Sequence, residues 1–366
     1  MLRQTKRLFS TNSLHRDINK YYRKANTKIT MNNLLRYKNH PTTNMTMLLN
    51  EDLKARLSHK ILEIENFPSG ISMMPSIQKV NEWYIKSFGE LNTVNIYDEN
   101  EYAKTLEGIY NRHSSTLITV ANGIIEYKEH LHSVFGDSFN ILEYMDLNCR
   151  GERINNYLDM FYSNRISIRL LISHYLSLQN ANLNTIHYNG IVSIHEPITN
   201  VINDAAEISR MICERVFDDS PKINMSIVGE PPVFPFIRDN MFYIFLELFK
   251  NSMRSTIESR NSSDEIDVLI CNNDTHVSVK ISDKGDGIEC DNLRNIWSYF
   301  YSTAKNQRLD NSDNLNDFDG SSPLAGYGYG LPITNLMVKY FDDSVHINSI
   351  KGIGTDVYLH FKKNSI

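Results

Sequence analysis

Glu247, Lys250, Asn251 and Arg254 lie in the run IRDNMFYIFLELFKNSMRSTIESR, at offsets of three, four and seven from the glutamate. In a helix such offsets gather side chains onto one stripe, while Met241, Ile244, Phe245 and Leu248 form the adjacent apolar stripe that faces a core. A solvated face with Glu/Lys pairs would look alike. Asn251, a poor helix former, speaks instead for a side chain placed for a purpose. Its carbonyl oxygen suits a divalent cation, and a carboxylate one turn earlier suits proton abstraction from a hydroxyl or water.

Three glycine-bearing segments downstream narrow this chemistry. DKGDGIE supplies Asp283, Gly285 and Gly287 after a strand-like run. A carboxylate at a strand end accepts from an exocyclic amine, and glycines let the backbone approach a flat ring. GYGYG supplies Gly326, Tyr327, Gly328, Tyr329 and Gly330, and a helical reading follows from Leu331. Alternate glycines before a helix N-terminus expose successive N–H groups to an anion. The segment is neither the P-loop pattern nor the dinucleotide fingerprint. GIGTD opens the last strand and offers the Thr355 hydroxyl near a bound base. Each segment alone also reads as a hairpin turn or a lid hinge. Their order after one chemically loaded helix is the restrictive feature.

The elements that must hold these groups differ between the two halves of the 366-residue chain. From about residue 46 to 182 the apolar spacing is helical, with Leu106, Ile109, His113, Leu117, Val120, Ile124 and Tyr127 read as the stripe of one long helix. Ile154, Leu158, Phe161, Arg165, Ile168, Ile172 and Tyr175 form another. With the segments MLLNEDLKARLSHKILEIENF and SIQKVNEWYIKSFGEL, these predict a four-helix bundle. The breaker-rich run at 179–190 marks a boundary. Beyond it, helices near 200–217 and 239–259 are followed by the strand pairs EIDVLICN with HVSVKISD and VHINSI with TDVYLHFK, which predict a two-layer α/β sandwich. The run from Asn306 to Pro323 reads as a mobile loop.

Composition excludes several classes. With 41% hydrophobic residues, 22% charged residues and a net charge of −5, the chain has no general affinity for nucleic acid, and no apolar run is long enough to span a membrane. Four scattered cysteines make neither a disulfide framework nor a zinc pattern. The first thirty residues are basic, hydroxyl-rich and nearly free of acid, the composition of a mitochondrial targeting segment. The expected organisation is therefore a targeting segment at 1–20, a helical bundle at 21–185 and an α/β domain at 186–366.

ELFKNSMR, SDKGDGI, AGYGYGLP and GIGTD resemble the N, G1, G2 and G3 boxes of the Bergerat-fold (GHKL) ATP-binding group. RISIRLLISHY, SYFYSTA, NRHSSTLITVANGIIEYK and PSIQKVNEWYIKS resemble, more narrowly, the mitochondrial kinases of 2-oxo-acid dehydrogenase complexes, above all those of the pyruvate complex. That resemblance implies an N-terminal four-helix bundle and a Bergerat-type sandwich with a mixed, largely antiparallel sheet. It implies ATP-dependent serine phosphorylation that inactivates the dehydrogenase E1 α subunit in the mitochondrial matrix.

In this carry-over Glu247 is the general base, Asn251 binds Mg²⁺, and Lys250 and Arg254 belong to the phosphate side. Asp283 reads the adenine amine, with Gly285 and Gly287 making room. Gly326, Tyr327, Gly328, Tyr329, Gly330 and Leu331 wrap the phosphates, Ser302 and Thr303 close on the nucleotide, and Thr355 lines the base pocket. His113 takes the place of a histidine that positions substrate or Glu247, although its place on an apolar stripe also fits a buried ring with satisfied partners. Arg165, a charge on an apolar stripe, is expected to be paired across the domain junction. The resemblance further implies K⁺ near the phosphates, binding of an E2 lipoyl domain by the bundle, and a homodimer or a heterodimer with a related kinase.

Two features depart from the family pattern. Tyr243 stands where many members carry a histidine one turn before the base. The short run after the last strand leads to the expectation of a reduced C-terminal arm, leaving lipoyl capture to the bundle. The alternatives are a branched-chain 2-oxo-acid dehydrogenase kinase, a histidine kinase and a catalytically inactive scaffold. His59 and His113 lack the adjacent acid of a phosphoacceptor, and the intact Glu247 and Asn251 oppose a dead scaffold.

Overall fold

Local capping sets the phase of the helical half. The computed structural model describes residues 13–36, 42–136, 144, 150–180, 187–259, 265–301 and 328–363. Residues 13–22 form α1, followed by α2 (Met31–Leu35), α3 (Thr43–Glu65), α4 (Pro75–Thr93), α5 (Glu99–Arg112), α6 (Thr116–Phe135) and α7 (Arg150–Gln179). Thr42 caps α3 by accepting from the Met45 N–H, and Asp98 caps α5 by accepting from Asn100 and Glu101. Pro75 opens α4, where its missing N–H costs nothing.

Contacts divide the chain into two compact units, Met1–Ile29 with Tyr37–Leu183, and Thr30–Arg36 with Asn184–Ile366. In the first, α3 packs on α4 and α7, α4 packs on α5 and α6, and α5 packs on α7. The single long helix expected through His113 is two helices. His113 leaves helical geometry at φ −91, ψ 7. The Ser114 hydroxyl turns back to the Asn111 carbonyl at 2.8 Å and the Thr119 hydroxyl bonds the Ser115 carbonyl at 2.8 Å, so side chains compete with the backbone ladder there.

Two helices lie at the expected boundaries. α1 buries Ile18 and Tyr21 and sets Tyr21 edge-on to Phe88 at 5.9 Å. The capped helix α2, expected within the bundle, belongs to the second unit, where Asn189 Nδ2 donates to the Leu35 carbonyl at 3.1 Å and Met31 lines an apolar cleft with Phe234, Met241, Met337 and Phe361.

The second unit continues with β1 (Tyr188–Asn189), β2 (Val192–Ser193), α8 (Ile198–Phe217), β3 (Ile223–Val228), β4 (Phe236–Ile237), α9 (Arg238–Glu258), β5 (Ile266–Asn272), β6 (His276–Asp283), α10 (Gly330–Tyr340), β7 (Ser344–Ile350) and β8 (Gly354–Lys362). β1, β2 and β4 make a small sheet; the main sheet has the order β3-β5-β6-β8-β7, with β3 parallel to β5 and the other neighbours antiparallel. Val277, Val279 and Ile281 of β6 are buried in alternation, with Leu359 and Phe361 of β8 beside them. Phe245 of α9 meets Phe361 at 6.2 Å, joining the helical layer to the sheet. Each such buried aromatic contributes about 1.5–3 kcal/mol through removal from water. The result is the mixed, largely antiparallel sandwich the sequence predicts. The run from Asn306 to Pro323 lies outside the described residues.

Candidate functional site

Helix α9 carries the loaded stripe, and it is less solvated than a stripe of charged residues suggests. Lys250 is 3% exposed and its Nζ meets Glu247 Oε1 at 2.6 Å. Arg254 turns toward the C-terminal end of the helix, its Nε meeting Glu258 Oε1 at 2.9 Å. Asn251 is exposed, and Tyr243 is buried one turn before Glu247.

Both glycine turns press on this same helix. A Cβ on Gly330 would collide with the Glu247 carboxylate, and a Cβ on Gly285 would collide with Ser255. Eight residues at 1.5 Å rise separate Glu247 from Ser255, so the two turns meet α9 roughly 12 Å apart, with Asn251 between them. A side chain at either glycine would force its turn away from the helix.

The end marked by Gly285 is lined with acceptors. Asp283, 7% exposed, sits opposite Thr355 in the β6–β8 ladder and accepts from the Gly285 N–H at 3.0 Å. Burial pushes its carboxyl up to about 6, while the Gly285 N–H, the Ser252 hydroxyl and the Thr355 N–H pull the other way. Gly287, at φ +66, allows the close approach of the Ile350 carbonyl, which a Cβ would block. The opposite end is marked by Gly328 at φ +73 and by Tyr329, whose ring packs on Tyr299 at 5.1 Å. Burial raises the Tyr329 phenol, so its ring anchors the turn and the main chain is what the turn can offer a ligand. Leu331 follows in the first turn of α10. Ser302, Thr303, Gly326 and Tyr327 lie outside the described residues.

His113 belongs to the helical unit. It is 3% exposed, with Nε2 2.9 Å from Ser87 Oγ and its ring 4.2 Å from that of Tyr84. Burial holds the imidazole well below 6.5, and the charges of Arg165, Arg112 and Arg169 act in the same direction, so the ring is neutral at pH 7. Arg165 meets the His113 carbonyl at 3.3 Å, a partner inside its own unit.

Sequence reasoning missed Ser252, Ser255 and Ser349. Ser255, four residues after Asn251, shares its stripe and was legible in principle, whereas Ser252 lies one residue on and off that stripe. Ser349 acts through strand pairing that no local pattern reveals.

Among the described residues no group of three His, Cys, Asp or Glu side chains could hold a metal by itself. A cation held by one amide together with phosphate oxygens suits that donor set.

Two sequence profiles match the chain. One, described as mitochondrial branched-chain alpha-ketoacid dehydrogenase kinase, covers residues 28–193. The other, described as histidine kinase-, DNA gyrase B-, and HSP90-like ATPase, covers residues 237–365. The pyruvate dehydrogenase (acetyl-transferring) kinase, mitochondrial, of Arabidopsis thaliana is 31% identical over 368 residues, 96% of this chain and 94% of that one. The chain belongs to the mitochondrial 2-oxo-acid dehydrogenase kinase family. Isozyme 4 of the same kinase from Rhinolophus ferrumequinum is 30% identical and the human isozyme 4 is 29% identical, each over 99% of this chain and 87% of the relative. As a member, this kinase is an ATP-binding enzyme of the mitochondrial matrix, and its C-terminal unit is a GHKL ATPase domain. Among its described residues no helix is long and apolar enough to cross a membrane.

Proposed function

We propose that this kinase transfers the γ-phosphoryl group of ATP to a serine of the pyruvate dehydrogenase E1 α subunit, inactivating that enzyme. The observation that carries the reading is the convergence of both glycine turns on α9, with an amine-reading carboxylate at one end and Glu247 at the other. A nucleotide along that recess has its base at Asp283 and its phosphates toward Gly330. In the resemblance Gly285 and Gly287 make room for the ring, and the Gly326–Gly330 segment with Leu331 gives N–H groups to the phosphates. Asn251 would hold Mg²⁺, which when bound neutralises phosphate charge. Glu247 takes the serine proton, and Lys250, which holds its carboxylate, with Arg254 forms the cationic side. Thr355 borders the base. Ser302 and Thr303 close on the nucleotide, His113 helps to position the substrate or Glu247, and K⁺ joins the phosphates, roles that rest on the resemblance alone.

The helical unit docks the E2 lipoyl domain, and the sheet face bearing Ser278, Lys280 and Ser282, which alternate with the buried residues of β6, pairs two subunits as a homodimer or heterodimer. The profile on residues 28–193 favours a second reading, the branched-chain E1 as substrate. Relatives aligned over the whole length favour the pyruvate enzyme. Radiolabelled ATP is supplied to both purified E1 proteins in parallel, with and without Mg²⁺. Label on a serine of pyruvate E1 α is expected; label on branched-chain E1 alone selects the second reading, and label on neither rejects both.

A further inference from the structure

The loop after β6 and the hairpin between β7 and β8 are locked together through one hydroxyl. The Ile288 N–H donates to Ser349 Oγ at 2.8 Å. Ser349 Oγ donates to the Gly354 carbonyl at 3.1 Å and lies 2.9 Å from Thr355 Oγ1. The interlock is tight on both sides: the Gly352 N–H donates to the Asp286 carbonyl at 2.7 Å, and a Cβ on Gly354 would collide with the Asp283 carbonyl.

A hydroxyl has one proton and two lone pairs. The Gly354 carbonyl, which cannot donate, takes the Ser349 proton, and the Ile288 N–H fills one lone pair. The remaining lone pair then faces Thr355, so in that 2.9 Å contact Thr355 is the donor. With its proton committed, Thr355 Oγ1 has only lone pairs left for anything else. Thr355 stands opposite Asp283, and its N–H is one of the donors that hold the Asp283 carboxylate.

We propose that Ser349 is a specificity-determining residue, which by taking the Thr355 proton presents Thr355 to the recess as an acceptor only. Beside the Asp283 carboxylate this selects a purine whose six-position carries an amino group over one that carries a carbonyl oxygen. Ser349 is a positioning residue acting through Thr355. The inference rests on the ATP reading of the recess given above.

The test measures binding of ATP and of inosine triphosphate to the full chain with Mg²⁺, alongside thermal melting. The unaltered protein is expected to prefer ATP. In Ser349→Ala the Thr355 hydroxyl is free to turn and donate, so the ratio of the two dissociation constants should fall roughly tenfold, one hydrogen bond's worth. Ser349→Thr should restore the ratio. A lowered melting temperature with equal loss of both nucleotides and an unchanged ratio would mean that Ser349 merely braces the loops, and the proposal is overturned. Should Ser349→Ala lose the fold, Ser349→Cys, close in size and a weak hydrogen-bonder, carries the same measurement. Failure of the unaltered protein to bind either triphosphate overturns the ATP reading itself, a distinct outcome.

Discussion

The helical unit and the α/β unit both bury ionisable groups, yet they use them in opposite ways. In the helical unit Lys60 is 0% exposed, with Nζ 2.6 Å from Glu63 and 4.1 Å above the Phe161 ring. Burial depresses it to about 8. His113 is likewise held neutral. In the α/β unit Lys250 is buried against Glu247, and a buried acid, Asp283, is pushed up to about 6 beside Gly285 and Gly287, whose main chain packs directly on Ser255 and the Ile350 carbonyl. Burial of charge alone therefore does not mark a reactive site.

The largest expected effect separates the two units by function. Glu247→Gln should lower phosphotransfer to E1 by roughly 10²–10⁴-fold, the usual contribution of a general base. ATP binding should change little, while the melting temperature should fall because the buried Lys250 ammonium loses a charged partner. An equal loss of binding and turnover would place Glu247 in ground-state contact and remove its role as base. Next, Asp283→Asn turns an acceptor-only group into one with donors, and ATP affinity should fall roughly 10- to 100-fold. Titration calorimetry reads this directly, and unchanged affinity would move the base elsewhere.

How much of this contrast was legible in the sequence depends on the range of the interactions. The α9 stripe, the strands with alternating Val277, Val279 and Ile281, and the glycine turns could be read because each follows a local period. The break at His113 was hidden because the apolar spacing runs on across the turn while only Ser114 and Ser115 signal it. The transfer of α2 to the second unit and the parallel pairing of β3 with β5 depend on partners far along the chain. Ser349 shares that limit, since its partners Ile288 and Thr355 come from two different segments.

Smaller effects sharpen the comparison. Lys60→Met combined with Glu63→Leu, which replaces both partners, should leave stability unchanged or raise it, because a buried ion pair rarely outweighs its desolvation. With Lys60 present, the folded pKa lies below the unfolded one. Relative to Lys60→Met, stability should therefore rise with pH between about 8 and 10.5. A flat difference would mean that the ammonium is solvated.

The smallest effect is a difference of sign. His113 has a folded pKa below 6.5, so its contribution is lost as pH falls below that value. Asp283 has a folded pKa above its unfolded 3.8, so its contribution is present below 3.8 and lost as pH rises through about 6. Trp83 lies in the helical unit and Trp297 in the α/β unit, so fluorescence of single-tryptophan variants can follow each unfolding. Measured against His113→Asn and Asp283→Asn, the two pH slopes should oppose each other between about 4 and 6. Slopes of one sign would show that one of the groups is not buried as described.

The central claim is that α9 forms the floor of one nucleotide recess. A crystal structure with Mg²⁺ and a non-hydrolysable ATP analogue tests it most directly. The base should lie against Asp283 and Thr355, the cation at Asn251, and the terminal phosphate near Glu247 and Gly330. A triphosphate bound away from α9, or a base at the Gly330 end, would contradict the account.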